Sequence, residues 1–139
     1  MFKKILVAYD GSPHSQRALQ AALDLARGEG SAAHLLYAYD RIPTYLGEPN
    51  LQAVTDRIVA SAREMVERAA ERASAAGVPV TADVLEGPPA EAVLHVAEAE
   101  KFDLIVIGSR GLGQLQGLLM GSVSNRVLHH AKIPVLIIR

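Results

Sequence analysis

The chain predicts an open, doubly wound α/β fold around a five-stranded parallel sheet, on three observations. Apolar runs of strand length alternate with helical patterns from one end to the other, the arrangement that covers a parallel sheet on both faces. Four of these runs, Ile5–Tyr9, Ala33–Tyr39, Leu104–Ile107 and Val135–Ile138, are nearly continuous in apolar character, as central strands are. A fifth, Val78–Leu85, alternates Val78, Val80, Ala82 and Val84 with Pro79, Thr81 and Asp83 and suits a sheet edge.

The helices between them follow in order. The first opens on Ser12 as N-cap with Pro13 at the first helical position: serine answers a free amide, and proline lacks the amide that would go unanswered. Ala18, Leu19, Ala22, Leu25 and Ala26 then form one stripe, and Gly28 and Gly30 are expected to stop it. The second helix carries Leu51, Val54, Ile58, Ala62, Met65, Ala69 and Ala73 at steps of three and four as far as Gly77. Arg63, Glu64, Glu67, Arg68, Glu71 and Arg72 read as its solvated face. The third follows Gly87-Pro88-Pro89, runs through Ala92, Val93, Val96 and Ala97, and ends before Phe102-Asp103. The fourth begins at Gly121-Ser122 and carries Val123, Val127 and Leu128 toward Pro134.

Composition narrows the function classes. A length of 139 residues suits one domain, 1–139, with a core that needs neither metal nor disulfide. The formal net charge of −1, with mixed signs along the chain, offers no basic face for nucleic acid. Cysteine is absent, which removes thiolate chemistry and cysteine-ligated metal. The opening Met1-Phe-Lys-Lys-Ile-Leu-Val is too short an apolar run before Asp10 for a secretory signal, and no run approaches membrane-spanning length. A soluble, cytoplasmic protein is the expectation.

The chemistry concentrates after the fourth strand. Leu104-Ile105-Val106-Ile107 empties into Gly108-Ser-Arg-Gly111, and nine residues later comes Gly121-Ser122-Val123-Ser124. Glycines let a backbone approach an anion closely, and a helix start supplies N–H groups with partial positive charge. The segment reads as a phosphate seat. It is not a Walker A loop, because no lysine lies between Lys101 and Lys132. Nor is it the dinucleotide fingerprint, since Gly111, Gly113 and Gly117 give G-x-G-x-x-x-G inside a loop.

The spacing G-x2-G-x9-G-S resembles the ATP-binding branch of the universal stress proteins. The likeness extends over the whole chain, from Lys4-Ile-Leu-Val-Ala-Tyr-Asp10-Gly-Ser12 to Pro134-Val-Leu-Ile-Ile138. It implies a Rossmann-like sheet of order 3-2-1-4-5, similar to the adenine nucleotide alpha hydrolases, with ATP and Mg2+ as ligand. In that order the crevice lies between strands one and four and sets Asp10 opposite Gly108. The resemblance puts an aspartate at the place of Asp10, where a carboxylate can accept from ribose hydroxyls or the adenine amino edge, or simply support the Gly11-Ser12 turn. It sets the backbone of Ala38 against adenine and Ile107 under the ring, although core packing selects the same residue types. Gly108 and Gly111 would pass close to ribose and phosphates, while Gly121 with the amides and hydroxyls of Ser122, Val123 and Ser124 would hold the β- and γ-phosphates. Ser122 is also a good N-cap, and Arg110 either pairs with a phosphate or stands exposed. Dimerisation through the final strand, Val135–Ile138, is the last implication, and its uniformly apolar edge agrees with that.

The stretch Leu112–Met120 is a loop rich in leucine, which a lid folded over a nucleotide would explain. The five histidines show no metal-binding spacing, and nothing in the spacing brings one to a serine at the crevice. A flavin site is disfavoured because tryptophan is absent and aromatics make up 4%. Two functional classes remain: a regulatory binding module, whose adenosine pocket would equally take AMP or cyclic AMP, and an enzyme that cleaves ATP or transfers a phosphoryl group from it. Without a lysine at the phosphates, cleavage is expected to be slow at most.

Overall fold

The computed structural model describes residues 1–41, 50–110 and 120–139. Their elements run β1 (Lys4–Ala8), α1 (Pro13–Glu29), β2 (Ala32–Tyr39), α2 (Asn50–Ser74), β3 (Val80–Glu86), α3 (Pro89–Ala99), β4 (Leu104–Gly108), α4 (Ser122–His130) and β5 (Val135–Ile138). The strands form one sheet in the order β3-β2-β1-β4-β5, and every pairing is parallel. The implied doubly wound α/β topology is the one observed.

Because successive side chains of a strand face opposite ways, each central strand feeds two cores. Ile5, Val7, Leu35 and Val106 meet α1 and α2 on one face, and Leu6, Leu36, Ile105 and Ile107 meet α3 and α4 on the other. Every residue of β4 is buried. The register sets Leu6 beside both His34 and Ile105, so β1 and β4 lie side by side at the centre with their carboxyl ends level.

Several boundaries depart from expectation, each for a local reason. Gly28 does not stop α1: the helix runs through it to Gly30, whose left-handed backbone (φ 65°) closes the end with its N–H on the Ala26 carbonyl. In α2 the deepest side chain is Val66, absent from the predicted stripe, while Ile58 is exposed; the sheet covers only the C-terminal half of this long helix. Val78 is buried but precedes β3, because Pro79 has no N–H to give to a ladder, although its carbonyl accepts from Ala33. Lys101 occupies the left-handed position (φ 56°) that ends α3, where Phe102 N–H bonds the Ala97 carbonyl. β5 has the continuous apolar character of a central strand yet lies at the sheet edge, with all four residues half-buried.

Candidate functional site

The winding of the sheet reverses between β1 and β4, and a cleft of about 430 Å³ opens beyond their carboxyl ends, the place where such sheets bind ligands. Its lining contains Asp10, Ala38, Ile107, Gly108, Gly121, Ser122, Val123 and Ser124. The expected contact at Gly111 falls outside the described residues, as does the proposed lid apart from Met120. Sequence reasoning missed Leu36, Pro89 and Val93, which build an apolar wall from β2 and α3, and Asp40 at the rim. Val93 was visible only as part of the core stripe of its helix, and nothing in its spacing marks it as reaching the cleft.

Two helices start at this cleft. At α1, Ser12 Oγ accepts from the Ser15 N–H at 3.2 Å, and Asp10 Oδ1 accepts from the Ser12 N–H at 2.9 Å. Ser15 Oγ donates to the Ser12 carbonyl at 3.0 Å, and Gln16 Nε2 donates to the Gly11 carbonyl at 2.9 Å. Gly11 is needed here: its φ is +82°, and a Cβ would fall 2.8 Å from Met65 Sδ. The chain thus answers the first polar groups of α1 with its own side chains. Asp10 does double duty, supporting the turn while lining the cleft.

At α4 the cap is Gly121 in an extended conformation (φ −77°, ψ 166°), and among the described residues no side chain caps the helix. Ser122 is therefore not the N-cap that its residue type suggests; it is the first helical residue and is exposed. The Gly121 N–H donates to the Ser109 carbonyl at 2.6 Å, and Ser124 Oγ donates to the same carbonyl at 2.8 Å. These two groups are occupied within the protein. The first backbone bond of the helix runs from Asn125 N–H to the Gly121 carbonyl, so the amides of Ser122, Val123 and Ser124 precede any intrahelical acceptor. Their partial positive charge is what an anion would meet.

Among the described residues the ionised side chains of the lining are Asp10, Asp40 and Arg110. One guanidinium against two carboxylates cannot balance a polyphosphate, which leaves that task to the α4 amides and to a cation brought by the ligand. Burial, with the carboxylates of Asp10 and Asp40 adding to it, pushes the Tyr37 phenol above its ordinary range, so Tyr37 remains a neutral donor at this rim. No three His, Cys, Asp or Glu side chains come together as a metal site among the described residues.

The fold also makes a histidine–serine pair that spacing gave no reason to draw. His14 Nδ1 lies 3.0 Å from Ser109 Oγ. Ser109 is buried and outside the cleft lining, and its carbonyl holds the start of α4.

Comparison with known proteins follows the whole chain. A sequence profile described as the universal stress protein family matches residues 1–139. The chain is 44% identical over 140 residues to the "Universal stress protein in QAH/OAS sulfhydrylase 3'region" of Thermus aquaticus, covering 100% of both chains. It superposes on a universal stress protein family member from Burkholderia pseudomallei with a TM-score of 0.78 at 30% identity, covering 99% of this chain and 96% of that one. It also superposes on a universal stress protein solved in complex with cyclic AMP, with a TM-score of 0.75 at 26% identity and coverage of 99% and 97%.

Proposed function

The chain belongs to the universal stress protein family, and on that premise we propose that it is a regulatory nucleotide-binding module, one domain over residues 1–139, that takes ATP with Mg2+. The observation that carries this reading is the start of α4, uncapped among the described residues and facing a cleft with an apolar wall of Leu36, Pro89 and Val93. Amides of Ser122, Val123 and Ser124 would receive the β- and γ-phosphates, with the Ser122 hydroxyl beside them. Ile107, Val93 and the backbone of Ala38 would enclose adenine, and Asp10 would accept from the ribose hydroxyls. Mg2+ would be held through phosphate oxygens and water, which is its habit where a protein offers few carboxylates.

A second reading has its own support. The relative solved with cyclic AMP favours a monophosphate ligand, and the two carboxylates against one guanidinium in the lining point the same way. Hydrolysis would be slow under either reading, since no lysine and no histidine is among the described cleft residues. The proposal includes a cytoplasmic homodimer formed by antiparallel pairing of β5, an apolar outer edge that carries open N–H and C=O groups. No helix of the described residues is long and apolar enough to cross a membrane.

Calorimetric titration of ligand-free protein with ATP, ADP, AMP and cyclic AMP, each with and without Mg2+, tests the reading. Tightest binding of ATP in the presence of Mg2+ supports it; tightest binding of a monophosphate selects the second reading, and no heat with any of them ends both.

A further inference from the structure

We infer that His14 is a positioning residue for the phosphate seat, acting through Ser109 without touching the ligand; the inference rests on the nucleotide reading above. The geometry begins at Gly108. A Cβ there would fall 2.7 Å from His14 Cβ and 2.9 Å from the His14 carbonyl carbon, so any side chain at 108 would push the first turn of α1 away. Gly108 thus has a packing reason to be glycine, independent of any ligand. The approach it permits brings the imidazole Nδ1 to 3.0 Å from Ser109 Oγ.

Ser109 is a junction. Its N–H donates to the Ile138 carbonyl at 2.6 Å, its carbonyl accepts from the Gly121 N–H at 2.6 Å and from Ser124 Oγ at 2.8 Å, and its hydroxyl meets His14. Only 2% of the residue is exposed, which puts the hydroxyl out of reach of a ligand in the cleft and excludes a nucleophilic role. What a buried hydroxyl does instead is hold an orientation, because leaving it without a partner is costly. Here that orientation is of the peptide whose carbonyl carries Gly121 and the first turn of α4. His14 therefore sets the direction in which the amides of Ser122, Val123 and Ser124 point. Small displacements of such amides cost binding steeply, because their bonds to a charged oxygen depend on alignment.

The test is a mutant cycle read by calorimetric titration with ATP and Mg2+. His14→Ala and Ser109→Ala are each expected to weaken binding about tenfold, and the double variant no further, as members of one linkage do. His14→Asn, whose side-chain amide reaches the place of Nδ1, is expected to stay within about threefold of wild type. Melting temperatures without ligand separate folding from positioning, and if His14→Ala does not fold, His14→Asn and Ser109→Ala carry the comparison. Wild-type affinity in His14→Ala or Ser109→Ala, losses that add in the double variant, or failure of His14→Asn to restore binding overturns the inference while leaving the nucleotide reading intact. A wild-type protein that binds no nucleotide overturns both.

Discussion

The starts of α1 and α4 face the same crevice and look alike in sequence, Asp10-Gly11-Ser12 against Gly121-Ser122-Val123-Ser124, yet they handle their amides in opposite ways. At α1 the serine is the cap, the aspartate supports the serine, and Ser15 closes the turn. At α4 the glycine is the cap, the following serine is the exposed first helical residue, and the next serine turns away to the Ser109 carbonyl. A one-residue shift of the hydroxyl relative to the cap separates a helix start that stabilises itself from one that is left for something else to satisfy. In hydroxyl-rich helix starts, position relative to the cap decides the role of each serine, not composition.

Filling the open start of α4 has the largest expected effect. Gly121→Val puts a branched side chain beside the seat while keeping a backbone conformation (φ −77°, ψ 166°) that valine adopts freely. It is expected to weaken nucleotide binding by about 100-fold, roughly 2.7 kcal/mol, measured by calorimetric titration, with the free protein still folded by circular dichroism. Retained affinity would mean that the phosphates sit elsewhere.

A smaller and opposite pair of effects concerns stability. Ser12→Ala removes the cap of α1 and is expected to cost about 1 kcal/mol in denaturant unfolding. Ser122→Ala removes no cap and is expected to stay within about 0.5 kcal/mol of wild type. Equal losses would erase the distinction between the two starts.

The smallest effect tests the opposite end of a third helix. Lys101 holds a left-handed conformation that glycine adopts without cost. Lys101→Gly is expected to stabilise the protein by at most about 1 kcal/mol with no change in nucleotide affinity, since it lies outside the lining of the cleft.

Much of this architecture was legible in the residues, because period and punctuation are local. The five apolar runs, the Ser12 cap and the stop at Gly30 all follow from the physics of one strand or one turn. What escaped depends on contacts between distant segments. Val66 does not stand out because which face of α2 is buried depends on where the sheet ends, and Gly28 does not stop α1 because glycine is a weak signal where tertiary packing carries a helix through it. The strand order, and so the edge position of β5, came from family resemblance, since an edge strand with the apolar character of Val135–Ile138 reads like a central one. At the site, glycine spacing located the cleft residues on β4 and α4, but the role of each hydroxyl did not follow. Ser109 carries no signal beyond a small polar residue after a buried strand, and its link to His14 spans 95 positions. Gly108 shows the same limit: its need for glycine is set by the approach of α1, which no local pattern encodes.

The most direct measurement is a backbone amide spectrum of the 15N-labelled protein titrated with ATP and Mg2+. The amides of Ser122, Val123 and Ser124 should show the largest shifts and slowed exchange with water, while the Ser12 and Ser15 amides, already bonded to Asp10 Oδ1 and Ser12 Oγ, should move less. Shifts concentrated at Ser12 and Ser15, with Ser122–Ser124 unmoved while ATP binds, would contradict the assignment of the open start of α4 as the phosphate seat.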